Sequence, residues 1–406
     1  MRLFNSRTLR VHLKRIVTAR KIGLTTIFIY TFFITILRAI RLPNDFAEAH
    51  WLIDYRFGFV KRGLIGTLVS FLSFIDQIQP TAILIAILSG IAFVIFCLVL
   101  LYLGLRIASR SDWSADTILL ILIFYSSGFV IMSAHLFGYF DNIIVVLSVF
   151  SIILLFKRMI WPAVFLQVIS ILVHETAVLI GFPVFCWAWL LINRRVTADQ
   201  KQLPLGPMFL PIGVFLLLLV SPIFLSADFQ QLLTKHLTAF SFIQENRNTL
   251  IPYWFTFSFI DWLASQGSLF FTRLTSIYMY ILVLPSVMTS LFFIYQVSHF
   301  QKFSAESITL LVVCLAPQLL HAVAWDTTRI WTYSILTSFL ALWVTCEVFP
   351  QPKSLPKSIN KAFILVQISN IVILTPLMDG ESDHFNLAIR LLLFVPMILF
   401  AILLKN

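Results

Sequence analysis

The sequence predicts an all-α fold: a polytopic transmembrane helical bundle of about twelve spans, with an interfacial helix in the first outer loop. Three observations carry that expectation. Apolar stretches long enough to cross a hydrocarbon core of about 30 Å recur along the whole chain. Only 12% of the 406 residues are charged while 60% are hydrophobic, and the mean hydropathy is +0.95. A soluble domain carries about 25% charge, so that class is excluded. Finally, Lys and Arg gather in alternate connections, as they do where they fix the orientation of helices.

The first 21 residues hold seven Lys or Arg and no acid, which marks 1–22 as a basic cytoplasmic tail. Spans follow at about 23–41, 81–104, 117–135, 142–156, 159–175, 177–193, 206–225, 274–297, 307–325, 330–349, 362–378 and 386–404. The N- and C-termini are then both cytoplasmic. Of the 29 Lys and Arg, 19 fall on the inner side, and of the 18 Asp and Glu, 13 fall on the outer side. That asymmetry accounts for the net charge of +11 without nucleic acid as a partner. The chain reads as one integral domain, 1–406, of a bacterial cytoplasmic (inner) membrane. The short pair 142–156 and 159–175 is alternatively a hairpin that stops within the bilayer.

The segment 63–75, at about 20 Å as a helix, is too short to cross. Gly63, Gly66, Thr67, Ser70 and Ser73 share one face and Leu, Val, Phe and Ile the other, which suits a helix lying in the outer interface. A short true span is the alternative, and it would put the later basic loops outside. The first outer loop occupies 42–80, and a long, aromatic-rich outer loop occupies 226–273. Cys97, Cys186, Cys314 and Cys346 all lie in apolar runs without ligand spacing, so neither a disulfide nor a zinc site is expected.

Ionisable groups at membrane depth are expensive and mark functional sites. The most informative stretch is His50–Gly63, where charges of both signs alternate with aromatics on the side that should be poor in cations. Its candidates are Asp54 as a general base, with Asp45 and Asp141 as further catalytic acids. Arg56, Lys61 and Arg62 are candidates for holding phosphate, Arg as a fork and Lys as a point charge. His174, Glu175, Asp326 and Arg329 sit in tight outer turns and join the substrate-binding set. Simpler roles stand beside these: an ion pair three residues apart for Asp326 and Arg329, a helix cap for Asp141, and a turn cap for His174–Glu175. The sequence points to no definite cofactor, and Asp141 and Glu175 together can position a divalent cation. His174-Glu175 lacks the second His of a zinc-protease helix, and Gly58, Gly63 and Gly66 follow no strand, so no nucleotide loop is present.

With these residues in place, the layout resembles the GT-C class of bacterial membrane glycosyltransferases. In that class a catalytic acid follows span 1, matched here by Asp45, Glu48 and Asp54, and a second lies between spans 3 and 4, matched by Asp141. The long loop 226–273 fits the same layout. The phrase Gly58-Phe-Val-Lys-Arg-Gly-Leu-Ile-Gly66 is similar to a motif of bacterial membrane proteins associated with surface-polysaccharide synthesis. The resemblance implies a polyprenyl-phosphate-linked sugar as donor and a glycan or lipid as acceptor. The sequence departs from the class in lacking a soluble C-terminal domain and a paired Asp-Glu directly after span 1, which leaves the identity of the acid open. On this reading Asp54→Asn or Asp45→Asn abolishes transfer. A secondary transporter, a lipid-linked glycan flippase, and an O-antigen-type polymerase or ligase are the alternatives.

Overall fold

In the computed structural model, residues 6–76, 80–195, 202–299, 305–324, 326–349 and 359–403 are described, and their regular structure is helical apart from one β-bridge, Pro376–Ser382. Helix α1 (Ser6–Leu37) leads to α2 (Asp45–His50) and, after a 3-10 turn at Tyr55–Phe57, to α3 (Gly63–Asp76) and α4 (Ala82–Arg110). Then come α5 (Ala115–Tyr125), α6 (Gly128–His135), α7 (Asp141–Phe156), α8 (Ile160–Val173), α9 (Ala177–Arg194) and α10 (Phe209–Leu219). The short α11 (Phe229–Thr238), α12 (Glu245–Phe255), α13 (Phe259–Gln266) and α14 (Phe270–Thr275) precede α15 (Ile277–His299), α16 (Ala305–Leu315), α17 (Thr327–Val348), α18 (Ile359–Val372) and α19 (Leu387–Leu403).

Among the described residues, four helical stretches are long and apolar enough to cross a membrane: Thr18–Leu37, Ala82–Arg110, Ala115–His135 and Ala177–Arg194. Seven further apolar helices have 10–17 residues. Helix α4 is apolar on its exposed as well as its buried side. Ile83, Ile87, Ile91, Val94, Leu98 and Tyr102 form an exposed stripe at helical spacing, while Ile85, Phe93, Phe96, Leu100, Leu103 and Ile107 are buried. Both faces are apolar, so the helix is suited to lie between protein and hydrocarbon.

Helix α17 is more polar because it runs through the centre. Every residue from Ile330 to Cys346 is buried. Several of its hydroxyls are satisfied by backbone: Ser338 Oγ donates to Ser334 O at 2.6 Å, Thr337 Oγ1 to Cys314 O at 2.8 Å and Thr345 Oγ1 to Ala341 O at 2.7 Å. These three groups therefore bring little polar cost.

Several expected spans differ in extent. Span 206–225 is an α-helix only over Phe209–Leu219 and 307–325 only to Leu315, each continuing as a 3-10 segment. Three others differ for a local reason. The first begins far earlier than 23, and its helix ends at Leu37 instead of residue 41, ahead of Pro43. The third is divided into α5 and α6 at Ser126–Ser127, whose hydroxyls bond back to Leu122 O (2.9 Å) and Phe124 O (2.7 Å). Such back-bonding competes with the helix ladder and bends it. Expected span 362–378 stops at Val372, where Arg390 Nη1 takes the free carbonyls of Ile371 and Ile373 at 2.9 and 3.1 Å.

The region expected as a long loop, 226–273, is largely folded into α11–α14. It closes over the first loop: Arg247 approaches Asp45 at 3.6 Å, and His236 Nε2 lies 3.1 Å from Leu52 O. Helix α3 turns its small residues inward. A side chain at Gly66 would collide with the Ile53 carbonyl, whereas Leu68, Phe71 and Leu72 on the other face are more than half exposed.

Polar groups collect at the two ends of α17, which at 22 residues is about 33 Å long. At one end Glu347 takes Arg106 and Arg110, the latter through Nε at 2.8 Å, and Arg194 pairs with Glu306. Asp326 and Arg329 stand at the other end, where α2, the 3-10 turn and α12 also gather.

Candidate functional site

The first loop is held by short-range chemistry. Asn44 caps α2 by accepting the Ala47 N–H at 2.9 Å. Trp51 Nε1 donates to Gly138 O at 2.8 Å, tying this loop to the α6–α7 turn. Thr67 Oγ1 accepts the Tyr55 N–H at 3.0 Å and donates to Gly63 O at 2.7 Å, so the loop is seated on α3. The chain then enters α3 through Arg62, whose φ of 60° lies in the left-handed region that non-glycine residues avoid. Backbone strain of this kind persists only where surrounding contacts fix it, and it concentrates at working sites.

Those contacts are on the Arg62 side chain. Its Nη2 and Nε donate to the two oxygens of Glu175 at 2.6 and 3.1 Å. Its Nη1 lies 3.1 Å from His50 Nε2. A guanidinium only donates, so this nitrogen of His50 carries no proton, and the other, Nδ1, donates to Phe46 O at 2.7 Å. The neutral tautomer is consistent with a pKa pushed down to about 3 by burial first and by the Arg62 charge second. Burial and Arg62 also lower His174, whose Nδ1 accepts the Thr176 N–H at 3.2 Å. Burial alone would raise the Glu175 carboxyl, but the Arg62 guanidinium bonded to it outweighs that and holds it well below the usual range. Lys61 donates to Phe257 O at 2.9 Å, and burial lowers its pKa.

The His50 shift has a pH signature. Its folded value lies below the ordinary 6.5, so as pH falls the unfolded chain takes the proton first. The stability it contributes is complete above about pH 6.5 and is lost as pH falls toward 3, at up to about 1.4 kcal/mol per pH unit. Melting temperatures recorded between pH 7 and 4 should fall less steeply for His50→Asn than for the wild type.

A second network stands opposite. Arg329 Nη2 donates to both oxygens of Asp141 at 2.8 and 2.7 Å, and its Nε donates to Tyr333 Oη at 2.6 Å. Tyr333 in turn donates its hydroxyl proton to Asp141. The remaining nitrogen, Nη1, lies 3.5 Å from Asp326. Asp141, the first residue of α7, also meets the positive end of that helix.

The two networks share one cavity of about 240 Å³. Its polar lining includes Lys61, Arg62, Arg329, Glu175, Asp326, His50 and His174. Its other walls are rings and aliphatic groups, among them Phe46, Trp254, Phe259, Trp262, Leu219 and Leu320. Counting Asp141 behind Arg329, three cations face three carboxylates and the two imidazoles are neutral, so the side chains of the cavity sum close to electroneutral. Among the described residues no group of three or more His, Cys, Asp or Glu is arranged to hold a metal ion.

The structure thus brings together Lys61, Arg62, His174, Glu175, Asp326 and Arg329 around one space, with Asp141 bonded to Arg329. It sets Asp45, Asp54 and Arg56 apart from the cavity lining. Asp54 caps the 3-10 turn through the Arg56 N–H at 2.8 Å and takes the Arg56 guanidinium at 2.6 to 3.0 Å. It is 1% exposed, whereas the Arg56 side chain is 63% exposed. Asp45 is turned toward Arg247, whose guanidinium also lies over the Phe46 ring. Sequence reasoning missed the part played by His50 and missed Tyr333 altogether. The spacing of Tyr333, four residues after Arg329, is the signal that places both on one helix face. It also missed Arg38, whose Nε donates to Asp383 at 2.6 Å with both side chains fully buried. No family model matches the sequence, and neither a curated protein nor a solved structure matches it significantly.

Proposed function

We propose that the protein is a membrane glycosyltransferase of the bacterial cytoplasmic membrane. It takes a sugar from a polyprenyl-phosphate-linked donor at the extracytoplasmic face and passes it to a glycan or lipid acceptor in cell-surface polysaccharide or glycolipid synthesis. The observation that carries the reading is the convergence of Lys61, Arg62 and Arg329 on a cavity whose other walls are aromatic and aliphatic. A sugar joined through phosphate to a hydrocarbon chain asks for those three surfaces: cations for the phosphate, flat rings for the sugar and apolar contacts for the chain. Glu175 and Asp326 add carboxylates on the same walls, where an acceptor hydroxyl can be deprotonated. Asp141 acts as a positioning residue by fixing the Arg329 guanidinium.

The reading keeps about twelve spans with both termini in the cytoplasm. It is supported by the cations at the end of the bundle remote from the cavity, Arg106, Arg110, Lys157, Arg158, Arg194 and Arg195, as cytoplasmic loops require. The outer faces of α3 and α4 support contact with lipid.

The test is twofold. A deletion strain should lose or truncate a surface glycan, and the purified protein should release polyprenyl phosphate from a polyprenyl-phosphate sugar. Unchanged glycans together with no release from hexosyl or pentosyl donors would refute the proposal. Asp54 acts through the fold in this reading. Asp54→Ala should lower stability by about 0.5–2 kcal/mol through the lost cap, with transfer retained in the folded fraction. Transfer lost at unchanged melting temperature would restore Asp54 as the base.

A second reading, a secondary transporter or lipid-linked glycan flippase, is favoured by one observation. Arg38 and Asp383 form a fully buried ion pair at the junction of α1 and α19, with Arg390 nearby and also buried. Buried ion pairs beside apolar helices are common on transport paths. A substrate-dependent ion current in proteoliposomes would favour it over transfer.

A further inference from the structure

We propose that Glu175 is a counterion that the donor phosphate displaces from Arg62, and that once displaced it serves as the general base on the acceptor hydroxyl. The inference rests on the phosphate reading of the cavity and assigns within it the acid that the sequence left open.

Glu175 is paired with Arg62, and Asp141 and Asp326 with Arg329, so both guanidiniums of the cavity already have carboxylates, whereas Lys61 donates to the Phe257 carbonyl. A phosphate can gain a guanidinium only by taking the place of a carboxylate. The three carboxylates differ in how firmly they are held. Asp141 is 4% exposed, accepts two bonds from Arg329 and one from Tyr333, and starts a helix. Asp326 is 20% exposed and meets Arg329 by a single 3.5 Å contact, but Asp141 holds that guanidinium in any case, so moving Asp326 would not release it. Asp326 also precedes α17, where the dipole favours a fixed negative charge. Glu175 belongs to the turn between α8 and α9, and its side chain is 23% exposed on the cavity wall. It has one more rotatable bond than an aspartate.

Arg62, by contrast, cannot follow Glu175 easily. It is held from behind by His50, itself anchored on Phe46 O, and its backbone is fixed in the left-handed region. When phosphate arrives, the guanidinium stays and the carboxylate leaves. A bidentate fork suits phosphate oxygens as well as it suits a carboxylate.

The chemical step then balances. The acceptor hydroxyl loses its proton to the Glu175 carboxylate as its oxygen bonds the anomeric carbon. The bond from that carbon to the phosphate oxygen breaks, and its electron pair leaves on the phosphate, where Arg62, Lys61 and Arg329 hold the charge. Ground-state pairing with Arg62 makes Glu175 a poor base before the donor binds, which would protect the donor from transfer to an unintended hydroxyl. Separation from Arg62 removes the main influence that holds its proton affinity down.

The experiment uses the full-length protein in nanodiscs and measures binding of a polyprenyl monophosphate, with the uncharged polyprenol as control. Glu175→Gln removes the competing charge, so it should bind the phosphate tighter, by about tenfold. The same substitution should abolish the surface glycan in a complemented deletion strain, because an amide cannot accept the proton. Glu175→Asp, too short to reach Arg62 as a fork, should also bind tighter, and it carries the test if the Gln variant does not fold. Wild type that binds while folded Glu175 variants bind equally or more weakly would overturn the displacement and leave the phosphate reading intact. Glu175→Gln that still makes glycan would overturn the base assignment. Wild type and variants that all fail to distinguish the phosphate from the polyprenol would overturn the phosphate reading, and this inference with it.

Discussion

Asp141→Ala is expected to destabilise the protein by about 3–5 kcal/mol, the loss seen when one partner of a buried ion pair is removed. The substitution strands Arg329 and takes the acceptor from Tyr333, two donors that are both bonded to this carboxylate. Neither donor is left near water: Tyr333 is 3% exposed and the Arg329 side chain 15%. The measurement is the melting temperature of the purified protein, or its yield in membranes if it fails to accumulate. The control is the double variant Asp141→Leu with Arg329→Met. Replacing both partners with apolar groups of similar size is often neutral, so the double variant should recover most of the stability while remaining inactive. A double variant no more stable than the single one would show that the network contributes by shape and not by charge.

Arg62→Ala is expected to lower transfer by about 100-fold or more, as loss of one well-placed donor to a developing charge does elsewhere. Arg62→Lys should recover only part of it, because an ammonium cannot make the forked contact. The assay is release of polyprenyl phosphate from a polyprenyl-phosphate sugar. Stability should change little in Arg62→Lys, which keeps a cation facing Glu175 and His50. Full transfer in the alanine variant would remove Arg62 from the site.

Much of the architecture was legible in the sequence because membrane helices announce themselves by composition. The apolar runs located the helices, and the small-residue face of 63–75 identified α3 as a helix with one polar and one apolar side. Helix boundaries were less legible. The break at Ser126–Ser127 depends on hydroxyls turning back to their own helix, and the stop at Val372 depends on Arg390 from another helix. Neither is visible in a hydropathy pattern. In the long loop, α11–α14 were missed because each is too short to cross a bilayer, although α11 buries Phe229, Leu233 and Leu237 at a helical spacing that could have revealed it.

The candidate site divides along the same line. Lys61, Arg62, His174, Glu175, Asp326 and Arg329 could be gathered from the sequence because charges beside apolar runs are conspicuous. The roles of Asp45 and Asp54 could not be separated from theirs by composition alone. What distinguishes them is a neighbour two residues on, Arg56, and one some two hundred residues away, Arg247. The neutral state of His50 was equally hidden, since it follows from one guanidinium and one carbonyl placed on its two nitrogens by the fold.

The near-cancellation of charge in the cavity also governs how a ligand finds it. A site with equal numbers of opposed charges within a few ångströms projects little field beyond its mouth, so it does not draw anions in from the aqueous phase. For the lipid-linked donor proposed above, encounter would then depend on diffusion along the bilayer, with recognition delayed until the donor is already inside. Capture rates should change little with ionic strength, and water-soluble phosphates should compete poorly with a ligand that the membrane itself delivers.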